Sequence, residues 1–144
     1  MENNKYVIAN IGSEKYGINI TEVQTIEKYL KICRVPRSHS YMKGVLNLRG
    51  EIIPIIDAKT KFELGETIGN DEARIIIITN GEGKTGLLVE GVNEVEEISK
   101  DDLENVKELT ISDDTRRYVS SVGKINDGAD IILILDLEEL FKEL

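Results

Sequence analysis

The chain of 144 residues contains one cysteine, Cys33, one histidine, His39, two prolines and no tryptophan. A single thiol excludes an internal disulfide and any multi-cysteine metal site, and leaves a buried or idle cysteine. His39 follows Pro36 in a polar turn, with no second histidine or cysteine nearby to share a metal, so a surface role is expected. Aromatic residues make up 5%, few for a base-stacking platform. Basic residues number 18 against 27 acidic ones, a formal charge of -9, and they are not visibly clustered. A phosphate polyanion would be repelled, and nucleic acid is a poor candidate. No run approaches the roughly 18 apolar residues that cross a bilayer. Met1-Glu-Asn-Asn-Lys5 also lacks a basic region followed by an apolar core, so a cytoplasmic chain without membrane insertion is expected.

What the chain does have is a 40% hydrophobic share, set out in short Ile- and Val-rich runs broken by glycine. That pattern predicts an all-β fold. Tyr6 to Ile11 and Tyr16 to Ile20 flank Gly12-Ser13 as a first hairpin, and Glu22 to Tyr29 and Leu30 to Val35 continue as extended segments to Pro36. Ser38 to Met42 suits one helical turn. Val45 to Leu48 and Ile52 to Ile56 are strands around Arg49-Gly50, with Asp57 capping a short helix from Ala58 to Phe62. Leu64 to Glu72 reads as a linker. Ile75 to Thr79, Leu87 to Glu90 and Asn93 to Ile98 are further strands, and Ser99 heads a helical turn. Val119 to Ile125 and Ile131 to Leu135 complete the strands. A terminal helix from Asp136 to about Leu144 would place Leu137, Leu140, Phe141 and Leu144 on one side.

Strand, Gly50 turn, Ile-rich strand, Asp57, four residues and Phe62 is matched by strand, Gly128 turn, Ile-rich strand, Asp136, four residues and Phe141. The chain is read as two copies of one unit, 1–70 and 71–144, with the N-terminal strand free to join either. About five strands per copy suit a small barrel that removes its own edges, and two such barrels packed together are expected.

Catalytic chemistry is not evident. Gly81-Glu-Gly-Lys-Thr85 lacks the first glycine of a phosphate loop and leads into a strand, so it is a turn. Asn126-Asp-Gly-Ala-Asp130 lacks the distal glutamate of a calcium loop. Arg49 is the unusual residue: a guanidinium at a strand hinge can brace backbone carbonyls or be aimed at a partner.

Tyr16-Gly-Ile-Asn-Ile, Val35-Pro-Arg, Tyr41-Met-Lys-Gly-Val-Leu-Asn-Leu-Arg-Gly, Ile52-Ile-Pro-Ile-Ile-Asp57 and Leu88-Val-Glu-Gly-Val-Asn-Glu-Val95, in that order and spacing, resemble the CheW family of bacterial chemotaxis coupling proteins over nearly the whole chain. The resemblance implies two intertwined five-stranded, SH3-like barrels, no catalysis and no cofactor. It implies an adaptor between chemoreceptor cytoplasmic hairpin tips and the regulatory domain of the histidine kinase CheA, recruited from the cytoplasm to membrane receptor arrays. The family's receptor-facing groove between the barrels maps to Val23, Ile26, Gly44, Val45, Asn47 and Arg49, with the kinase met on exposed barrel surfaces of both lobes. Thr25 departs from members that carry an acidic residue there. With no segment after the terminal helix, the chain would lack the receiver domain of the related CheV proteins. The alternatives are a coupling protein of a non-chemotactic kinase array, an excised kinase regulatory domain, and a small-ligand or oligonucleotide-binding barrel.

Overall fold

A computed structural model describes residues 3–36, 38–81, 83–105 and 117–142. The strands are β1 (Asn3–Ile11), β2 (Glu14–Asn19), β3 (Val23–Lys28), β4 (Met42–Leu48), β5 (Glu51–Asp57), β6 (Arg74–Asn80), β7 (Gly83–Val89), β8 (Gly91–Ser99), β9 (Leu103–Asn105), β10 (Val119–Ile125) and β11 (Asp130–Leu135). Two one-turn helices, α1 (Ala58–Lys61) and α2 (Leu137–Leu140), follow β5 and β11. The fold is all-β, as the short Ile-rich runs require.

The strands form two sheets, ordered β8-β1-β2-β11-β10-β9 and β3-β6-β7-β5-β4. Their plans match. In each, a tight antiparallel hairpin meets the second hairpin through a parallel pair, with Gly17 opposite Ile134 in one and Gly86 opposite Ile55 in the other. A Cβ on Gly86 would lie 2.4 Å from Ile55 Cδ1, and one on Gly17 would lie 2.9 Å from Ile134 Cδ1. Glycine at both seams therefore makes room for the isoleucine of the neighbouring strand. The six-stranded sheet ends in β9. Its counterpart beside β4 is a single bridge, Cys33 to Val45.

The repeat is equally plain at the two helices. Asp57 caps α1 by accepting from Lys59 N, and Asp136 caps α2 by accepting from Glu139 N. The backbone N–H of Asp57 donates to Tyr41 O at 2.8 Å, as that of Asp136 does to Tyr118 O at 2.9 Å. Phe62 and Phe141 close the two turns.

The spatial units do not follow the expected division into 1–70 and 71–144. The chain gathers into one unit of residues 1–20 with 93–144 and another of 21–92. Hairpin β1–β2 pairs with β11, and hairpin β6–β7 pairs with β3 and β5, so each hairpin serves the other copy. The two hairpins are alike in register and seam, and closing a longer connection adds little entropic cost, so exchange is cheap. Leu46, Ile53, Ile55, Ala73, Ile75, Ile77 and Leu88 fill the 21–92 unit, with Tyr29, Ile32 and Leu48 packed against them. In the other unit the buried cluster is Tyr6, Ile8, Ile98, Ile132 and Ile134.

Several local expectations are corrected. Residues 38–42 form no helix, only a turn in which Met42 N donates to His39 O. Leu30 to Val35 is extended but paired only at Cys33, and on this otherwise unpaired, solvent-facing segment Cys33 is exposed and not buried. The helix expected over 136–144 is one turn, Leu137–Leu140, and Leu144 lies outside the described residues. Strand β9 was not expected; it follows the Ser99-capped 3-10 turn and owes its pairing to β10.

Candidate functional site

All six expected receptor-facing residues fall in the 21–92 unit. Val23 and Ile26 lie on β3, one edge of the five-stranded sheet, whereas Gly44, Val45 and Asn47 lie on β4, the other edge. Arg49 is in the turn joining β4 to β5. In a flat sheet these edges would be three strands apart. Here the sheet curls around its isoleucine core until the Arg49 guanidinium reaches Glu27 of β3, with Nη2 4.0 Å from Oε2.

The turn itself is specific. Leu48 pairs with Glu51, leaving Arg49 and Gly50 as a two-residue loop with φ of 52° and 88°. Positive φ at both positions defines the type I′ turn that matches strand twist and favours Asn-Gly. Asn47 Oδ1 accepts from Gly50 N at 3.2 Å and helps close it. An arginine in this conformation carries steric strain of about 1–2 kcal/mol. Its side chain is 71% exposed, and among the described residues its only partner is Glu27, whose side chain is 18% exposed. Of the two roles open to Arg49 in the sequence, bracing of backbone carbonyls is absent among the described residues, and the side chain is displayed.

Around this turn Thr25, Leu48, Arg49, Ile53, Ile77 and Lys84 line a small cavity of about 130 Å³. Lys84 Nζ pairs with Glu51 at 2.7 Å. Thr25 Oγ1 is buried there without a hydrogen-bond partner among the described residues. Ile52 lies directly across from Asn47 and is 63% exposed, next to the turn. Ile26 is also exposed, at 40%.

Gly44 and Val45 stand apart from this display. Gly44 is buried at a bulge in β4, with φ of 148°. A Cβ at Gly44 would come within 2.2 Å of Cys33 O. Val45 is half-buried and exchanges two backbone hydrogen bonds with Cys33, at 2.8 and 2.9 Å. Their geometry shapes the strand edge. Sequence reading missed Glu27 and Ile52. Glu27 needs the curl of the sheet to meet Arg49, and Ile52 reads as one more core isoleucine in Ile52-Ile-Pro-Ile-Ile.

A family model described as CheW-like domain matches residues 5–144. Chemotaxis protein CheW of Bacillus subtilis is 36% identical over 137 residues, covering 93% of this chain and 88% of that protein. The protein of the same name from Klebsiella aerogenes is 32% identical over 137 residues, covering 94% and 80%. Among solved structures, that of the scaffolding protein TtCheW from Thermoanaerobacter tengcongensis superposes with a TM-score of 0.87 and 33% identity, over 98% of this chain and 94% of that one. The paired sheets, the repeated Asp-capped hairpins and these matches together place the chain in the CheW family, with the all-β fold of two SH3-like barrels.

Proposed function

We propose that the chain is a non-catalytic adaptor that couples chemoreceptors to the histidine kinase CheA in bacterial chemotaxis arrays. The observation that carries the receptor side of this reading is Arg49: a guanidinium held in a strained turn, most of it in solvent, with one distant ion pair. Backbone strain gathers at binding and switch sites, and Arg49 combines it with a displayed charge, whereas the other exposed left-handed residues, Glu63, Asn126 and Asp127, carry no guanidinium. Ile26 and Ile52 add exposed apolar surface nearby, the chemistry suited to a helical hairpin laid against a barrel. Val23 and Asn47 flank this surface, and Gly44 and Val45 set the backbone of β4 beneath it.

On this reading the receptor's cytoplasmic hairpin tip meets the 21–92 unit, and the regulatory domain of CheA meets other barrel surfaces. No helix among the described residues is long and apolar enough to cross a membrane. The adaptor would then work from the cytoplasm and reach the membrane through the receptors. Modest individual affinities suffice when many copies are held in one lattice.

Calorimetric titration against a receptor cytoplasmic fragment, and separately against the CheA regulatory domain, tests the proposal. The parent should bind both. Arg49→Asn, which keeps the left-handed turn, should weaken receptor binding by about tenfold or more and leave kinase binding within about twofold. Failure of the parent to bind either partner would refute the adaptor reading.

A further inference from the structure

The basic residues, expected to be scattered, are not. Residues 28–50 contain Lys28, Lys31, Arg34, Arg37, Lys43 and Arg49 and no aspartate or glutamate, in a chain with 27 acidic residues. Elsewhere several cations are paired, Lys59 with Glu90, Lys84 with Glu51, Lys124 with Glu104 and Lys142 with Glu139, while Lys5 and Lys15 stand singly among the described residues of the other unit. Lys28, Lys31, Arg34 and Lys43 have no ion-pair partner among the described residues.

Arg34 and Lys43 are brought together in one cleft of about 360 Å³, whose wall includes Val35, Ser38, His39 and Ser40. Its loop is held in shape. Ser38 Oγ donates to Val35 O at 2.8 Å, and His39 stacks on Tyr41, whose ring also carries the Lys61 ammonium at 3.8 Å. Asp57 and Glu66 line an adjoining recess with Arg34 and Lys43. The Asp57 carboxylate is already occupied there by Thr67 and by the N–H of Lys59. Exposed Val35 and Leu30 put apolar surface among the charges.

We propose that this cleft docks an acidic segment of a partner protein, its carboxylates set against Arg34 and Lys43 and its apolar side chains against Val35. The proposal is separate from the receptor reading of Arg49. Two cations on one cleft with Val35 in its wall suit a peptide that carries carboxylates and apolar side chains together better than a single compact anion. A long polyanion or an anionic membrane would also face the acidic remainder of the chain. A short segment within a Debye length of about 10 Å feels mainly the local positive surface.

The test is fluorescence anisotropy of the full chain with a labelled deca-glutamate peptide, at low and at physiological salt. The expected result is binding that weakens with salt and falls about tenfold or more in Arg34→Glu with Lys43→Glu. Lys5→Glu with Lys15→Glu makes the same change in net charge on the other unit and should bind within about twofold of the parent. Circular dichroism establishes that both variants fold. Duplex DNA and phosphatidylcholine–phosphatidylserine vesicles serve as competing probes, and sedimentation reports self-association. No peptide binding at low salt, equal loss in the two double variants, tighter binding to DNA or vesicles, or self-association abolished by the Arg34 and Lys43 changes would each overturn the proposal.

Discussion

Arg49 of the β4–β5 turn faces Glu27 of β3 across 4.0 Å, joining the two edges of one curled sheet. The pair does not justify the arginine on stability grounds. Exposed ion pairs contribute about 0–1 kcal/mol, while a non-glycine left-handed residue costs about 1–2 kcal/mol. Arg49→Asn puts into the turn a side chain that tolerates positive φ. It should leave unfolding free energy unchanged or raise it by up to about 1 kcal/mol, as read from urea denaturation. A clear loss of stability would instead make the ion pair a structural brace.

Much of this was legible in the sequence, and the failures have a common cause. The Gly50 and Gly128 hairpins, the Asp57 and Asp136 caps and the closing phenylalanines are local features, set by residues within a few positions of one another, and all are present. Which hairpin pairs with which copy depends on parallel contacts between β2 and β11, more than a hundred residues apart, and no local pattern records it. The same limit hid Glu27. Its role beside Arg49 exists only once the sheet has curled.

Gly44 offers a sharper test of structure against contact. Its φ is positive, and a Cβ at this position would lie 2.2 Å from Cys33 O, so even alanine must displace backbone. Gly44→Ala should break the two Cys33–Val45 hydrogen bonds and cost about 3 kcal/mol, with hydrogen exchange of the Val45 amide accelerating sharply. If the variant kept full stability and lost only receptor binding, Gly44 would be a contact residue.

The two aspartate caps should differ although the sequence repeats them. Asp57 is 2% exposed and accepts from Lys59 N at 3.1 Å, Thr67 N at 2.9 Å and Thr67 Oγ1 at 2.6 Å. It both caps α1 and pins the connection that leads to β6. Asp57→Ala removes the cap and leaves the Thr67 donors unsatisfied, for an expected loss of about 3 kcal/mol. Asp136→Ala loses one cap contact, to Glu139 N at 3.2 Å, and should cost about 1 kcal/mol. Chemical denaturation of the two variants side by side checks the ordering.

Thr25 carries a hydroxyl oxygen that is buried beside the Arg49 turn and unpartnered among the described residues. Such a group forfeits its water without recovering a hydrogen bond. Thr25→Val keeps the branched shape and the strand preference of β3 and should stabilise the protein by about 1 kcal/mol in thermal or urea unfolding. Destabilisation by a similar amount would mean that the hydroxyl is satisfied in solution.

Tyr16 supplies the pH dependence. It lies at the parallel seam opposite Leu133 and is 4% exposed. Burial raises its pKa above the usual value of 10.0, and the charge of Glu14 raises it further. The folded protein therefore holds the phenolic proton more tightly than the unfolded chain does. Below the unfolded value both states are protonated and the full stability is present; above it the unfolded state releases the proton first, and stability falls until the pH passes the folded value. Urea midpoints measured upward from about pH 9 should decline through this window. Tyr16→Phe keeps the buried ring without the ionisable hydroxyl, so its decline, arising from the remaining alkaline-titrating groups, should be shallower than that of the parent. Parallel slopes for the two proteins would show that the seam tyrosine does not govern alkaline stability.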